Sequence, residues 1–185
     1  MRILGIDPGL VATGYGVVEP VGTGFACLAA GVIRPDSTDL APRLAHIHTQ
    51  LTALLHEFIP DVMVVEDLYA DYEYPRTAIL MGHARGVIFL AAALRAVPVV
   101  SYGAAEVKRA VTGNGRASKA QVQSLVQRLL QLPALPTPDH VSDALALAIC
   151  HTYRERLSAQ SGGVIGLHGR SATKAPRRSV RRPRE

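Results

Sequence analysis

The sequence predicts an α/β fold built on a mixed five-stranded sheet, a three-strand antiparallel meander plus two parallel strands, flanked by helices. Three observations predict it. Residues 3–34 hold three short apolar stretches punctuated by Gly9, Gly22 and Gly24. Residues 40–58 carry apolar side chains at helical spacing, and residues 62–102 alternate strand, helix and strand, the pattern of parallel strands joined by a crossover helix. With 185 residues and 48% hydrophobic composition, the chain suffices for one well-buried domain.

The elements follow in order. Residues 3–7 read as a buried strand, 14–19 as a second and 24–34 as a third, with glycines at the turns. Leu40, Leu44, Ile47, Leu51, Leu54, Leu55 and Phe58 line one side of a helix that Pro60 terminates. Residues 62–66 form an apolar strand, 77–94 a mostly apolar helix and 97–102 a short strand containing Pro98. Ser118 and Gln121 fit a capping box ahead of Val122, Leu125, Val126 and Leu129, and Thr137 is placed to cap a helix over 138–150 that opens on Pro138. Apolar periodicity fades after Leu157. The expected division is therefore a folded domain over 1–157 and a basic, disordered tail over 158–185.

Composition excludes several classes. Cys27 and Cys150 lie apart without a C-x-x-C pair, so neither a disulfide scaffold nor a thiolate zinc site is expected. The N-terminus enters a strand directly, unlike a signal peptide, and the longest apolar run, 87–94, is far short of the roughly 20 residues that span a bilayer. A soluble cytoplasmic protein with no membrane partner is the expectation.

The net charge of +5 is unevenly distributed. The last 18 residues hold seven Lys or Arg and one Glu, so residues 1–167 carry 13 basic against 14 acidic groups. Within that body, residues 1–74 hold three basic and ten acidic side chains, whereas 75–130 hold eight basic ones and only Glu106. Acidic and basic halves suit a metal-binding site beside a surface for a polyanion. Charge alone favours the blander reading of two solvated faces.

Three carboxylates sharpen the choice. Asp7 ends the first strand and is turned outward by Pro8-Gly9; Glu66 ends the fourth strand; Asp143 lies in the helix over 138–150. Sites in open α/β sheets form at strand carboxyl ends. Clustered carboxylates repel unless cations offset them. On the 138–150 helix, Val141, Ala144, Leu145 and Ala148 make an apolar stripe, and Asp139, His140 and Asp143 share the other side. Either Asp139 or His140 is spaced to join Asp143 around an ion. Asp7 or Glu66 alone is better read as a solvated strand-end acid, and the helix dipole accounts for Asp139 adequately but for Asp143 less well.

Other segments suit nucleic acid. Gly113-Asn114-Gly115-Arg116 with Ser118-Lys119 makes a basic loop entering a helix N-terminus, suited to phosphate, with a plain helix–helix turn as the equal alternative. Tyr69 and the segment Asp71-Tyr72-Glu73-Tyr74-Pro75-Arg76 place aromatic rings beside Glu66, suited to stacking on unpaired bases or to a solvated loop. Ala78, Gly82 and Gly86, spaced by four, permit close approach of another backbone, internal or from a second subunit.

Assembled, these residues closely resemble the RuvC family of Holliday-junction resolvases over about residues 1–156. The motifs are Gly5-Ile6-Asp7-Pro8-Gly9 with Thr13-Gly14-Tyr15-Gly16, the strand ending at Glu66, Gly82-His83-Ala84-Arg85-Gly86, Val107-Lys108, Ser118-Lys119-Ala120-Gln121-Val122-Gln123 and Asp143-Ala144-Leu145-Ala146. The resemblance implies a ribonuclease-H-like fold and a homodimer that nicks two opposing strands of a four-way DNA junction with Mg²⁺ or Mn²⁺, in recombination and repair. It carries the catalytic and metal-binding roles to Asp7, Glu66 and Asp143, with His140 at a fourth place where many members have Asp. Imidazole suits Mn²⁺ better than Mg²⁺, so His140 is a ligand or a water-positioning group, with Asp139 as its substitute. Lys108 and Lys119 match basic residues near the scissile phosphate, and Tyr69 an aromatic that stacks near the junction centre. Arg76 and Arg116 extend the DNA-binding set.

The expected mechanism is two-metal hydrolysis with Asp7 between the ions, leaving 5′-phosphate and 3′-hydroxyl ends. The RuvA/RuvB branch-migration complex is the further partner implied, with the tail as a DNA- or motor-binding segment or a solubilising extension. The rivals are an ATPase of the actin and sugar-kinase type, for which the chain is short and lacks a second phosphate loop, and a noncatalytic junction binder.

Overall fold

The computed structural model describes residues 1–67 and 75–160, the side chains of 75 and 76 excepted. Tyr69, the Arg76 side chain and all but the first three residues of the 158–185 tail lie outside the described residues. The elements are β1 (Ile3–Asp7), β2 (Thr13–Val21), β3 (Gly24–Ile33), α1 (Leu40–Phe58), β4 (Val62–Glu66), α2 (Pro75–Leu94), β5 (Val99–Tyr102), α3 (Ala104–Thr112), α4 (Lys119–Leu129) and α5 (Asp139–Gln160). The sheet order is β3-β2-β1-β4-β5, antiparallel from β3 to β1 and parallel from β1 to β5. This is the expected meander plus two parallel strands.

Alternation along the buried strands divides the core into two layers. Leu4, Ile6, Met63 and Val65 pack against Ile47, Leu51 and Leu55 of α1 and Ala84, Ile88, Ala91 and Ala92 of α2. Ile3, Val62 and Val64 face Val107 and Val111 of α3, Val122 and Val126 of α4, and Leu145 to Cys150 of α5. Both faces of the central strands are covered, which is why their sequences are continuously apolar.

α5 departs most from expectation. It begins at Asp139, after a cis Thr137–Pro138 bond, and runs to Gln160, so residues 158–160 are helical. Its apolar stripe is not one-sided: Val141, Ser142 and the run 144–152 are all buried. The cause is position, because α5 lies on the sheet and is itself covered by α3 and α4. Two glycines let it come that close. A Cβ on Gly5 would meet the Ala144 carbonyl oxygen at 2.0 Å, and one on Gly14 the His140 carbonyl oxygen at 2.0 Å. Gly5→Ala is accordingly expected to lower stability by about 3 kcal/mol, the upper end for overpacking, because backbone meets backbone. Thermal unfolding within a degree of the parent would refute this close packing.

α2 has one buried side and one uncovered side. Thr77–Leu94 is long and apolar enough by composition to cross a membrane, a property that run length had missed. Ala84, Ile88, Ala91 and Ala92 nonetheless sit in the core, which marks α2 as a helix of the folded domain. Opposite them, Ile79 is 62% and Leu90 52% exposed, and a Cβ on Gly82 or Gly86 would meet only open space. Internal packing therefore does not account for the glycine spacing.

Candidate active site

β1 and β4 are parallel neighbours with Ile6 opposite Val65, so Asp7 and Glu66 leave the sheet side by side. Period-two alternation places Asp7 on the face of Ile3 and Glu66 on the face of Val62 and Val64. That is the face beneath α5. Asp7 is thus buried under a helix at 7% exposure instead of projecting from the sheet edge.

α5 supplies the other two groups from its first turns. The His140 Nδ1–H donates to Asp7 Oδ2 at 2.6 Å. Asp7, Glu66, His140 and Asp143, with Lys108 of α3 and Lys119 of α4, line one cavity of about 290 Å³ walled by Met81, Val107, Val122 and Leu147. Lys119 Nζ lies 4.0 Å from Asp143 and 3.7 Å from Asp139. Asp139 is not among the cavity-lining residues and its side chain is 59% exposed, so its expected substitution for His140 lacks support.

The electrostatics are those of crowded acids. Burial pushes the Glu66 carboxyl up to about 7, aided by the Asp7 charge, a hydrogen bond to Asp7 and the Asp143 charge, with Lys119 opposing. Burial, then Asp7, also raises Asp143, against Lys119. Oxygen donors with one imidazole suit a hard divalent cation, whose charge would relieve this crowding. As the side chains stand, no three or more His, Cys, Asp or Glu among the described residues are arranged to hold one ion. Asp7 is engaged by His140, and Lys119 lies beside Asp143.

The DNA-contact expectations divide. Lys108 and Lys119 line the cavity, whereas Arg116 is exposed in the turn between α3 and α4 and is not among the lining residues. That loop joins α3 to α4. Its α4 end is closed by a complete capping box, with the Gln121 N–H donating to Ser118 Oγ at 3.3 Å and the Ser118 N–H to Gln121 Oε1 at 2.8 Å, so these donors are taken. Sequence reasoning overlooked Arg85, which donates to the Glu66 carbonyl. Its signal was available: it is the only charged residue in the apolar stretch 77–94.

The family model for crossover junction endodeoxyribonuclease RuvC matches residues 3–151. The chain belongs to the RuvC family. RuvC membership makes it a crossover junction endodeoxyribonuclease that depends on a divalent metal. The RuvC of Rhodopirellula baltica is 48% identical over 82% of this chain and 85% of the relative, and that of Ruminiclostridium cellulolyticum 44% identical over 88% and 98%. Among solved structures, Thermus thermophilus RuvC in complex with a Holliday junction substrate superposes with a TM-score of 0.81 at 35% identity, covering 85% of this chain and 96% of that one. The yeast mitochondrial Holliday junction resolvase shares the fold at 17% identity and a TM-score of 0.62. RuvC-type architecture thus accounts for nearly the whole described chain.

Proposed function

We propose that this cavity is where a strand of a four-way DNA junction is hydrolysed, and that two subunits nick opposing strands symmetrically, leaving 5′-phosphate and 3′-hydroxyl ends. The observation that carries the reading is the gathering of Asp7, Glu66, His140 and Asp143 from β1, β4 and α5 around one cavity. Asp7, Glu66 and Asp143 would hold Mg²⁺ or Mn²⁺, two per site, with His140 as a ligand or a water-positioning group. When bound, the metal neutralises phosphate charge and activates water at neutral pH.

The chain's own residues do the rest. His140 holds the Asp7 carboxylate through Nδ1. Lys119, its side chain 69% exposed on the cavity rim, offsets charge that develops on the phosphate, and Lys108 orients the strand. Tyr69, Arg76 and Arg116 extend the DNA contact beyond the cavity. The uncovered face of α2, with Ile79, Gly82, Gly86 and Leu90, suits a homodimer interface in which small residues admit a second backbone. The domain over 1–157 carries the nuclease. The basic tail engages DNA or the RuvA/RuvB complex, and the enzyme works in the cytoplasm at the nucleoid in recombination and repair.

Four-way, flap and linear duplex DNA incubated with Mg²⁺ or Mn²⁺ test the reading. Paired, religatable nicks confined to the four-way substrate are expected; equal cutting of linear duplex would overturn it. Ile79→Glu with Leu90→Glu is expected to convert a dimer to a monomer in sedimentation and paired nicks to single ones, whereas an intact dimer would dismiss the α2 interface.

A further inference from the structure

Arg85 lies outside the catalytic cavity yet grips the strand that delivers one of its carboxylates. Its guanidinium is held on three acceptors: Nη1–H donates to the Glu66 main-chain oxygen, and Nη2–H to Ser101 Oγ at 2.7 Å and to Asp67 Oδ1 at 3.0 Å. The group also lies 4.7 Å from the centre of the Phe89 ring, one turn further along α2. Its side chain is only 15% exposed. A guanidinium so removed from water is costly unless its donors are paired, so these contacts are obligatory once α2 packs on the sheet.

The three acceptors lie at the carboxyl ends of β4 and β5. Glu66 is the last residue of β4, Asp67 follows it, and Ser101 pairs with Val65 across the two strands. Beyond the ladder pairs Val65–Ser101 and Glu66–Tyr102, the Asp67 N–H donates to the Tyr102 carbonyl at 2.9 Å. On the cavity side, the Glu66 side chain lines the pocket with Asp7 and Asp143. Arg85 holds the same residue from the opposite side through its main-chain oxygen, leaving the carboxylate oxygens free of a direct hydrogen bond to the guanidinium.

We propose that Arg85 is a positioning residue for the metal site: by clamping the Glu66 main chain, Asp67 and Ser101 from α2, it sets where the Glu66 carboxylate stands relative to Asp7. The assignment rests on Glu66 being a metal ligand. Among the described residues, the hydrogen bonds of Arg85 reach no cavity-lining side chain, so its loss is expected to weaken metal binding and leave junction binding intact.

The test uses the full-length protein with Arg85→Gln, Arg85→Lys, Ser101→Ala and Glu66→Gln. Mn²⁺ affinity is read by electron paramagnetic resonance of free Mn²⁺, junction affinity without metal, and nicking across an Mn²⁺ series. For Arg85→Gln, Mn²⁺ affinity is expected to fall about tenfold and the Mn²⁺ needed for half-maximal nicking to rise equally, a change of about 1.4 kcal/mol. Its maximal rate at saturating Mn²⁺ and its junction affinity stay within about threefold of the parent. Arg85→Lys recovers part of the loss, because one ammonium can reach the carbonyl but cannot fork to three acceptors. Ser101→Ala, a milder lesion that keeps the test open if Arg85→Gln does not fold, shifts the Mn²⁺ requirement two- to threefold.

Unchanged Mn²⁺ affinity in both Arg85→Gln and Ser101→Ala would overturn the assignment. So would parallel loss of metal and junction binding with a lowered melting temperature, the mark of a merely structural role. Glu66→Gln separates the two readings. If it keeps full Mn²⁺ affinity, the ligand assignment itself falls; if it loses affinity and the Arg85 variants do not, only the positioning role falls.

Discussion

Asp7→Asn is expected to reduce junction nicking by about a thousandfold or more, with junction affinity preserved or slightly improved. Asp7 occupies the centre of the acidic group: it accepts from His140 at 2.6 Å and its charge raises both Glu66 and Asp143. An asparagine keeps the volume and still accepts from Nδ1–H, so the fold and the His140 orientation survive. The anionic metal ligand is what is lost, and with it the stabilisation of transition-state charge on the phosphate. Removing one negative charge from a surface that meets a polyanion does not weaken binding. Gel-shift and nicking assays on one synthetic four-way junction read both quantities. Cleavage within tenfold of the parent in Mn²⁺ would remove Asp7 from the metal site.

Glu66→Gln is expected to make the metal-free protein more stable above pH 7 while abolishing nicking. The folded-state carboxyl titrates at about 7, against 4.5 for the free group. Between those values the folded state holds a proton that the unfolded chain has released, so stability falls as pH rises through this window and levels off above it. Glutamine carries no such penalty. The variant should therefore exceed the parent by about 1–3 kcal/mol at pH 8 and by little at pH 4.5. Divalent metal should raise the melting temperature of the parent at pH 8 and of the variant much less. A melting-temperature difference that does not grow with pH would contradict the crowding of acids inferred here. Activity and stability thus move in opposite directions at one residue, as expected where a site is built from like charges.

Much of this architecture was legible. The bounds of α1 and β4 coincide with the sequence reading, because Leu and Ile at helical spacing end at Pro60 and an unbroken apolar strand ends at an acid. The capping box at Ser118 and Gln121 is present in full, being a local arrangement of four residues. Where the pattern was not local, the reading was less complete. α3 is not delimited in the sequence reading, because nine residues, Ala104–Thr112, are too short for a sustained periodic run although Val107 and Val111 share a face, and α5 extends ten residues past the 150 expected, through turns whose apolar residues continue to Leu157. Arg85 was passed over as part of a motif, because neither its burial nor its acceptors are visible without the fold.

By itself, the sequence determined where the candidate side chains stand in their elements: carboxylates at the ends of two apolar strands, a carboxylate and an imidazole in the first turns of a helix, and a lysine at the start of another. It also determined strand order in outline, since short turns favour antiparallel neighbours and crossover helices favour parallel ones. Only the tertiary structure decided that the groups meet. Strands apolar on both faces contain no signal for which face Asp7 and Glu66 share; that choice was made when β1 and β4 paired with Ile6 against Val65 and when Gly5 and Gly14 let α5 settle over them. Register and close backbone approach are properties of pairs of distant segments, and no single stretch of chain encodes them.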